Sequence, residues 1–214
     1  PVAEHALALL LAGFRDLHDY ARTATWSRKH GRNLIGARVT ILGGGGIGAV
    51  LAGMLAPFRC EVTVVRRSAE PMDGVHEVVG PDRLHEAIAG RDALVLALPL
   101  LPETRRIVGA AELALLAPGA WVVNVARGEH IDTDALVDAL DSGHLGGVGL
   151  DVTDPEPLPD DHPLWSRPGA IITPHTGNTP EMAVPLLGAR ITDNVRRYAG
   201  GEPLVGLVDP DLGY

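Results

Sequence analysis

The chain has 214 residues, 46% of them hydrophobic and 21% charged, which is material for a packed core and too apolar for wholesale disorder. Eighteen Lys and Arg stand against 27 Asp and Glu, a formal charge of −9, and aromatics are only 4%, so phosphate neutralisation and base stacking both lack residues and nucleic-acid binding is excluded as the main activity. A single cysteine, Cys60, excludes an intrachain disulfide and fits a reducing, cytoplasmic compartment.

The first segment sets Leu7, Leu10, Leu11, Phe14 and Leu17 at a helical spacing. Glu4 and His5 ahead of so short an apolar run do not make a signal peptide. The chain opens on Pro1 rather than Met, which reads as a processed or excerpted piece of something longer. After a polar stretch around Trp26 to Asn33 come short, nearly all-apolar runs: Arg38–Leu42, Glu61–Val65, Ala93–Leu98, Trp121–Val125, Gly147–Asp151 and Ala170–Thr173. Such runs are expected of parallel strands buried on both faces. Helical patterns lie between them. Ile47, Val50, Leu51, Met54, Leu55 and Phe58 form one face, Leu113 to Leu116 part of another, and Asp134 to Leu140 a third, capped by Asp132 or Thr133. The 20 uncharged residues from Val39 to Phe58 are long enough to span a bilayer, but five glycines crowd their first half and Pro57 closes them, so a strand, turn and helix are expected and no membrane partner. Thr153 to Pro163 holds four prolines and four acids in 11 positions and reads as a loop. A last helix is expected from Thr179-Pro180, with Val184, Leu187, Ile191, Val195 and Tyr198 as its apolar stripe and Pro185 delaying its start or kinking it.

Strands alternating with helices imply an α/β fold with a parallel sheet covered on both faces. Gly43-Gly44-Gly45-Gly46-Ile47-Gly48 satisfies G-x-G-x-x-G between a predicted strand and a predicted helix, the context in which that weak pattern becomes informative. It makes the sheet Rossmann-like and doubly wound. Gly43 would permit the tight turn, Gly45 the approach of a pyrophosphate, and Gly48 close packing of helix on strand, with the helix-start amides holding phosphates. Where a binder of NAD usually carries an acid for the ribose 2′-hydroxyl, this chain has Arg66-Arg67-Ser68. No acid stands in that stretch to repel a 2′-phosphate, and two guanidiniums with a hydroxyl suit one, so NADP(H) is the expected preference with NAD(H) possible.

Ligands of an open parallel sheet bind at the carboxyl ends of its strands. Three polar residues leave that edge: Arg127 after Trp121–Val125, Glu156 after Gly147–Asp151, and His175 after Ala170–Thr173. Together they suit hydride chemistry on a 2-keto or 2-hydroxy acid. Arg127 would grip a substrate carboxylate through two parallel hydrogen bonds, His175 would pass the proton, and Glu156 would favour and orient the imidazolium.

The stretches Val2-Ala3-Glu4-His5-Ala6, the glycine loop, Leu98-Pro99-Leu100 with Pro102-Glu103-Thr104, Asn124-Val125-Ala126-Arg127-Gly128, Leu150-Asp151-Val152 with Glu156-Pro157, and Thr173-Pro174-His175 come in one order over almost the whole chain. They resemble the D-isomer-specific 2-hydroxyacid dehydrogenases, the group of phosphoglycerate, D-lactate and glyoxylate/hydroxypyruvate reducing enzymes. That resemblance implies Arg127, Glu156 and His175 as the catalytic residues. It implies cofactor contacts from Gly46, Ile47, Pro99, Thr104, Val125 and Ala126, with Asp151 holding the nicotinamide carboxamide and Gly177 near the same ring. Departures from the family pattern are Gly44 where a larger residue is usual, Gly46 where a charge is frequent, Arg66 in place of a common Asp, and Leu101 in place of a frequent Thr. The resemblance further implies a dinucleotide-binding domain over 1–180, its residues 1–25 a linking helix at the joint of a homodimer, and a C-terminal helix and tail over 181–214 that dock on a substrate domain this chain lacks. Two other readings remain open: a dinucleotide-sensing, corepressor-like interaction module, and a cofactor-binding fragment without chemistry of its own. No metal site is expected, since no H-E-x-x-H occurs and one Cys cannot build a thiolate cluster.

Overall fold

Among the described residues, seven strands run in one direction in a single sheet, in the order β3-β2-β1-β4-β5-β6-β7. They are β1 (Arg38–Leu42), β2 (Glu61–Val65), β3 (Glu77–Val79), β4 (Ala93–Leu96), β5 (Ala120–Asn124), β6 (Leu145–Leu150) and β7 (Ala170–Ile172). The computed structural model describes residues 1–26 and 31–208; part of the polar stretch between Trp26 and Asn33, and the end of the C-terminal tail, lie outside the described residues. Strand order reverses between β1 and β4, the switch point that leaves a crevice at the carboxyl edge.

The helices are α1 (Val2–Phe14), the short α2 (Leu17–Tyr20), α3 (Gly46–Leu55), α4 (Leu84–Ile88), α5 (Ala110–Leu115), α6 (Thr133–Asp141) and α7 (Pro180–Ala199). Side chains alternate across a strand, so each strand feeds two cores. Val95, Trp121 and Val123 face α1 and α3 in one cluster with Leu9, Leu10, Leu51 and Leu55. Leu94, Leu96 and Val122 face α4, α5 and α6 in the other, with Ile88, Leu113 and Leu136. Full burial of each such Leu or Ile is worth roughly 1.5–3 kcal/mol, which favours the apolar residues that fill most strand positions.

The chain divides into two units: Val2–Gly177, and Pro1 with Asn178–Tyr214. In the second, Thr179 precedes α7 with Pro180 at its first turn, and Asn194 exchanges hydrogen bonds with the Val205 amide at 2.9 Å and carbonyl at 3.0 Å. The stripe Val184, Leu187, Ile191, Val195 and Tyr198 is exposed.

Differences from the sequence reading sit at element ends. β4 stops at Leu96 rather than Leu98, β5 begins and ends one residue early, β6 runs Leu145–Leu150, and β7 ends at Ile172. The apolar runs extend past the hydrogen-bonded ladder because the residues just beyond it still pack on the core. Leu17 is not on α1: Asp16 turns left-handed before α2, and Leu17 is exposed. Val50 is likewise exposed on α3. Pro185 lies inside α7, which begins at Pro180 without delay. β3 and α4 were not foreseen. No helix among the described residues is long and apolar enough to cross a membrane.

Candidate active site

At the carboxyl end of β1 the chain turns at Gly43, whose φ of +105° belongs to the region glycine alone enters freely. A β-carbon on Gly48 would run into the carbonyl oxygen of Gly43, so α3 starts as close to the strand as backbone permits. Gly45 is the N-cap and Gly46 the first helical residue; a β-carbon on either would meet only open space. The first amides of α3 have no intrahelical acceptor, and no acidic residue stands in that turn. Gly46 and Ile47 therefore present donors at a positive helix end with room beside them, a cradle that fits a pyrophosphate.

β2, one strand over, ends at Val65 and is followed by Arg66, Arg67 and Ser68. The Arg66 stem lies where a side chain on Gly44 would go, and its Nε donates to the Ser68 carbonyl at 2.5 Å. The expectation that no acid stands beside these arginines is corrected here. Arg66 Nη2 is 3.8 Å from Glu70, and Arg67 Nη2 donates to Glu103 at 2.9 Å. Glu103 comes from the loop after β4, so local sequence around the arginines could not reveal it. Each guanidinium thus has a carboxylate nearby that offsets part of its attraction for a phosphate.

Arg127, Glu156 and His175 follow β5, β6 and β7. His175 Nδ1 and Glu156 Oε1 are 2.7 Å apart, with both side chains close to half exposed. His175 has a φ of +55°, uncommon for a residue with a β-carbon. The turn is held from beneath. Its amide donates to the Asp151 carbonyl at 2.8 Å, while the Asp151 carboxylate accepts from Thr173 Oγ1 at 2.6 Å, the Thr176 amide at 2.8 Å and the Gly177 amide at 2.9 Å. His5 on α1 closes the group, 2.9 Å from Thr173 Oγ1 and 3.3 Å from Asp151 Oδ1. Asp151 is thus buried and largely occupied, one acceptor position on Oδ2 remaining for an outside donor. Gly177 takes part through its backbone.

Arg127 is exposed and donates to its own neighbour, the Ala126 carbonyl, at 2.6 Å. Among the described residues no ion pair joins it to Glu156 or His175. Asn124 shapes its turn, accepting from the Ala126 amide at 3.0 Å and donating to the Arg127 carbonyl at 2.8 Å. Gly128 lets the loops interlock: a β-carbon there would strike the Thr153 carbonyl, in the segment that leads to Glu156. Val125 and Ala126 are buried, and Pro99 is exposed at the end of the β4 loop. The Thr104 hydroxyl is engaged locally, accepting from the Leu101 amide and donating to the Pro99 carbonyl, each at 2.8 Å. Buried His130, two residues after Gly128, was not foreseen; burial pushes its pKa below the usual histidine value.

Comparison with known proteins identifies the family of this fold. Residues 5–177 match the D-isomer specific 2-hydroxyacid dehydrogenase, NAD binding domain. Glyoxylate/hydroxypyruvate reductase A of Serratia proteamaculans is 34% identical over 216 residues, 99% of this chain and 68% of that protein. A D-isomer specific 2-hydroxyacid dehydrogenase of Xanthobacter autotrophicus, solved with NADPH and MES, superposes with a TM-score of 0.84 at 37% identity, covering 100% of this chain and 88% of the other. An NADPH-dependent glyoxylate/hydroxypyruvate reductase of Sinorhizobium meliloti, solved with NADP and sulfate, gives a TM-score of 0.87 at 30% identity, covering 100% and 69%. The parallel sheet, the glycine turn and these matches together place the chain in the D-isomer specific 2-hydroxyacid dehydrogenase family, with residues 5–177 as its NAD-binding domain.

Proposed function

We propose that the chain carries the cofactor-binding and proton-transferring half of an NADPH-dependent reductase of small 2-keto acids such as glyoxylate or hydroxypyruvate. The observation that carries this reading is the 2.7 Å bond between His175 and Glu156 on the sheet edge that also bears the glycine turn. With Nδ1 committed to Glu156, Nε2 is the atom left to hand its proton to the keto oxygen. The Glu156 carboxylate fixes the ring plane through that bond. Arg127, exposed beside them, takes the substrate carboxylate through paired N–H groups and polarises the carbonyl. Gly45, Gly46 and Ile47 would hold the pyrophosphate, and Pro99, Val125, Ala126, Asp151 and Gly177 would line the nicotinamide end. When bound, the nicotinamide dinucleotide supplies the hydride.

Preference for NADP(H) is supported by Arg66 and Arg67 at the β2 end and by the NADPH and NADP in the related structures. The same reading takes the chain as a homodimer joined through the Val2–Gly177 unit, to which exposed Leu17, Trp26 and Ile35 lend apolar surface. The test is NADPH consumption on adding glyoxylate or hydroxypyruvate, measured with a full-length protein that carries the substrate half. His175→Gln lowers turnover by roughly 10²–10⁴-fold and leaves NADPH binding intact. Turnover undiminished in that variant ends the assignment.

A further inference from the structure

His130 is wholly buried, and the chemistry above makes no use of it. It closes the short turn Gly128–His130, and its ring reaches two loops. Nδ1 lies 3.2 Å from the Arg127 amide nitrogen and 3.0 Å from the Arg127 carbonyl oxygen; Nε2 lies 3.2 Å from the Pro99 carbonyl oxygen. A neutral imidazole has one N–H and one lone pair, so the partners decide where the proton sits. With the proton on Nε2, Pro99 receives a donor and the Arg127 N–H finds an acceptor at Nδ1. With it on Nδ1, the Arg127 N–H would face another N–H and the Pro99 carbonyl would face a lone pair. The Arg127 carbonyl needs no third donor, because Asn124 Nδ2 supplies one at 2.8 Å and the His130 amide another at 3.3 Å. Burial opposes a second proton on the ring.

We propose that His130, as the neutral Nε2–H tautomer, is a positioning residue that fixes the backbone of Arg127 against the Pro99 loop. One ring thereby sets the spacing between the guanidinium that takes the substrate carboxylate and the loop that flanks the cofactor. The Pro99 carbonyl also accepts from Thr104 Oγ1, so the strut ends on the capped part of that loop rather than on a free strand of chain. The inference rests on the roles given to Arg127 and Pro99 in the proposed function. It adds a cause for their joint placement that lies in neither residue.

Nitrogen-15 spectra of histidine-labelled protein test the geometry without any turnover. The expected result is a His130 ring with Nε2 protonated and Nδ1 bare at neutral pH. An Nδ1–H tautomer, or an imidazolium, overturns the proposal. Two variants then separate the ends of the strut. In His130→Asn the side-chain oxygen takes the place of Nδ1 and keeps the acceptor for Arg127. In His130→Gln the amide nitrogen takes the place of Nε2 and keeps the donor for Pro99. His130→Gln should raise the KM for glyoxylate about tenfold while leaving NADPH affinity near that of the parent, and His130→Asn should do the reverse. Equal effects of both variants on both constants would make His130 mere filling and overturn the strut. If the unsubstituted protein binds NADPH but turns over no keto acid, the proposed function fails, and the tautomer alone decides the strut. The same spectrum decides if either variant does not fold.

Discussion

Gly44 and Arg66 occupy one space, because a β-carbon on the first would collide with Cδ of the second. The two departures from the family pattern at these positions are therefore one accommodation: the small residue admits the long cation. Gly44→Val should push the guanidinium away and weaken NADPH binding about tenfold, the worth of one charge-assisted hydrogen bond, with NADH binding little changed. Calorimetric titration with each nucleotide checks it, and equal losses for both would break the link between Gly44 and the 2′-phosphate. His130 gives a pH dependence whose sign follows from its burial. Its pKa is lowered in the folded chain, through burial against the raising effect of Pro99, Arg127 and Glu129, whereas the unfolded chain takes the proton near pH ~6.5. The unfolded state then binds more protons below that pH, so this contribution to stability is full at neutral pH and lost as pH falls, by up to ~1.4 kcal/mol per pH unit. Denaturation curves at pH ~7.5 and ~5.5 should show a larger loss for the parent chain than for His130→Phe. The strand-end positions of Arg127, Glu156 and His175 and the glycine turn after β1 were legible, because they follow from the order of strands and local spacing. His5, Thr173 and His130 as structural partners were not: His5 and Thr173 are 168 positions apart, and His130 and Pro99 31 apart. No local pattern encodes such pairings.

At the scale of elements, the loop Thr173–Gly177 carries His175 on a stretch without helix or strand. It contains one left-handed residue, His175, and is pinned by a buried carboxylate. Thr173→Val keeps the volume but removes the donor to Asp151 and the partner of His5. It should cost about 1.5–3 kcal/mol, as hydrogen bonds to charged groups do, and speed hydrogen exchange at the Thr176 and Gly177 amides. Unchanged exchange would mean that the backbone holds the turn unaided. At the glycine turn on the same carboxyl edge, Gly48→Ala sets a β-carbon against the Gly43 carbonyl. The clash should cost about 1–3 kcal/mol and remove dinucleotide binding, as thermal melts with and without nucleotide would show. Strands β1 and β2 matched their expected bounds residue for residue, since in each the four residues after an exposed first one are buried and mostly apolar. β3 and α4 escaped notice for a physical reason. β3 has three residues on the sheet edge and α4 has five, too few for either period to stand out.

For the whole molecule, topology does the positioning: the order reverses beside β1, and every residue assigned to cofactor or substrate lies at or beyond a carboxyl strand end or on the start of α3. A homodimer joined through this unit predicts a sedimentation mass twice that of the chain, and a monomer at micromolar concentration would contradict it. Everything else depends on whether this edge holds a nicotinamide dinucleotide with the phosphate preference argued from Arg66 and Arg67. The direct measurement is a thermal melt of the chain with NADPH, with NADH and with neither. At 100 times its dissociation constant a ligand adds about 2.7 kcal/mol of stability, roughly 5–10 °C for a chain of this size. The account predicts that shift with NADPH and a clearly smaller one with NADH at equal concentration. A larger shift with NADH would contradict the role of the two arginines, and no shift with either would contradict the site itself.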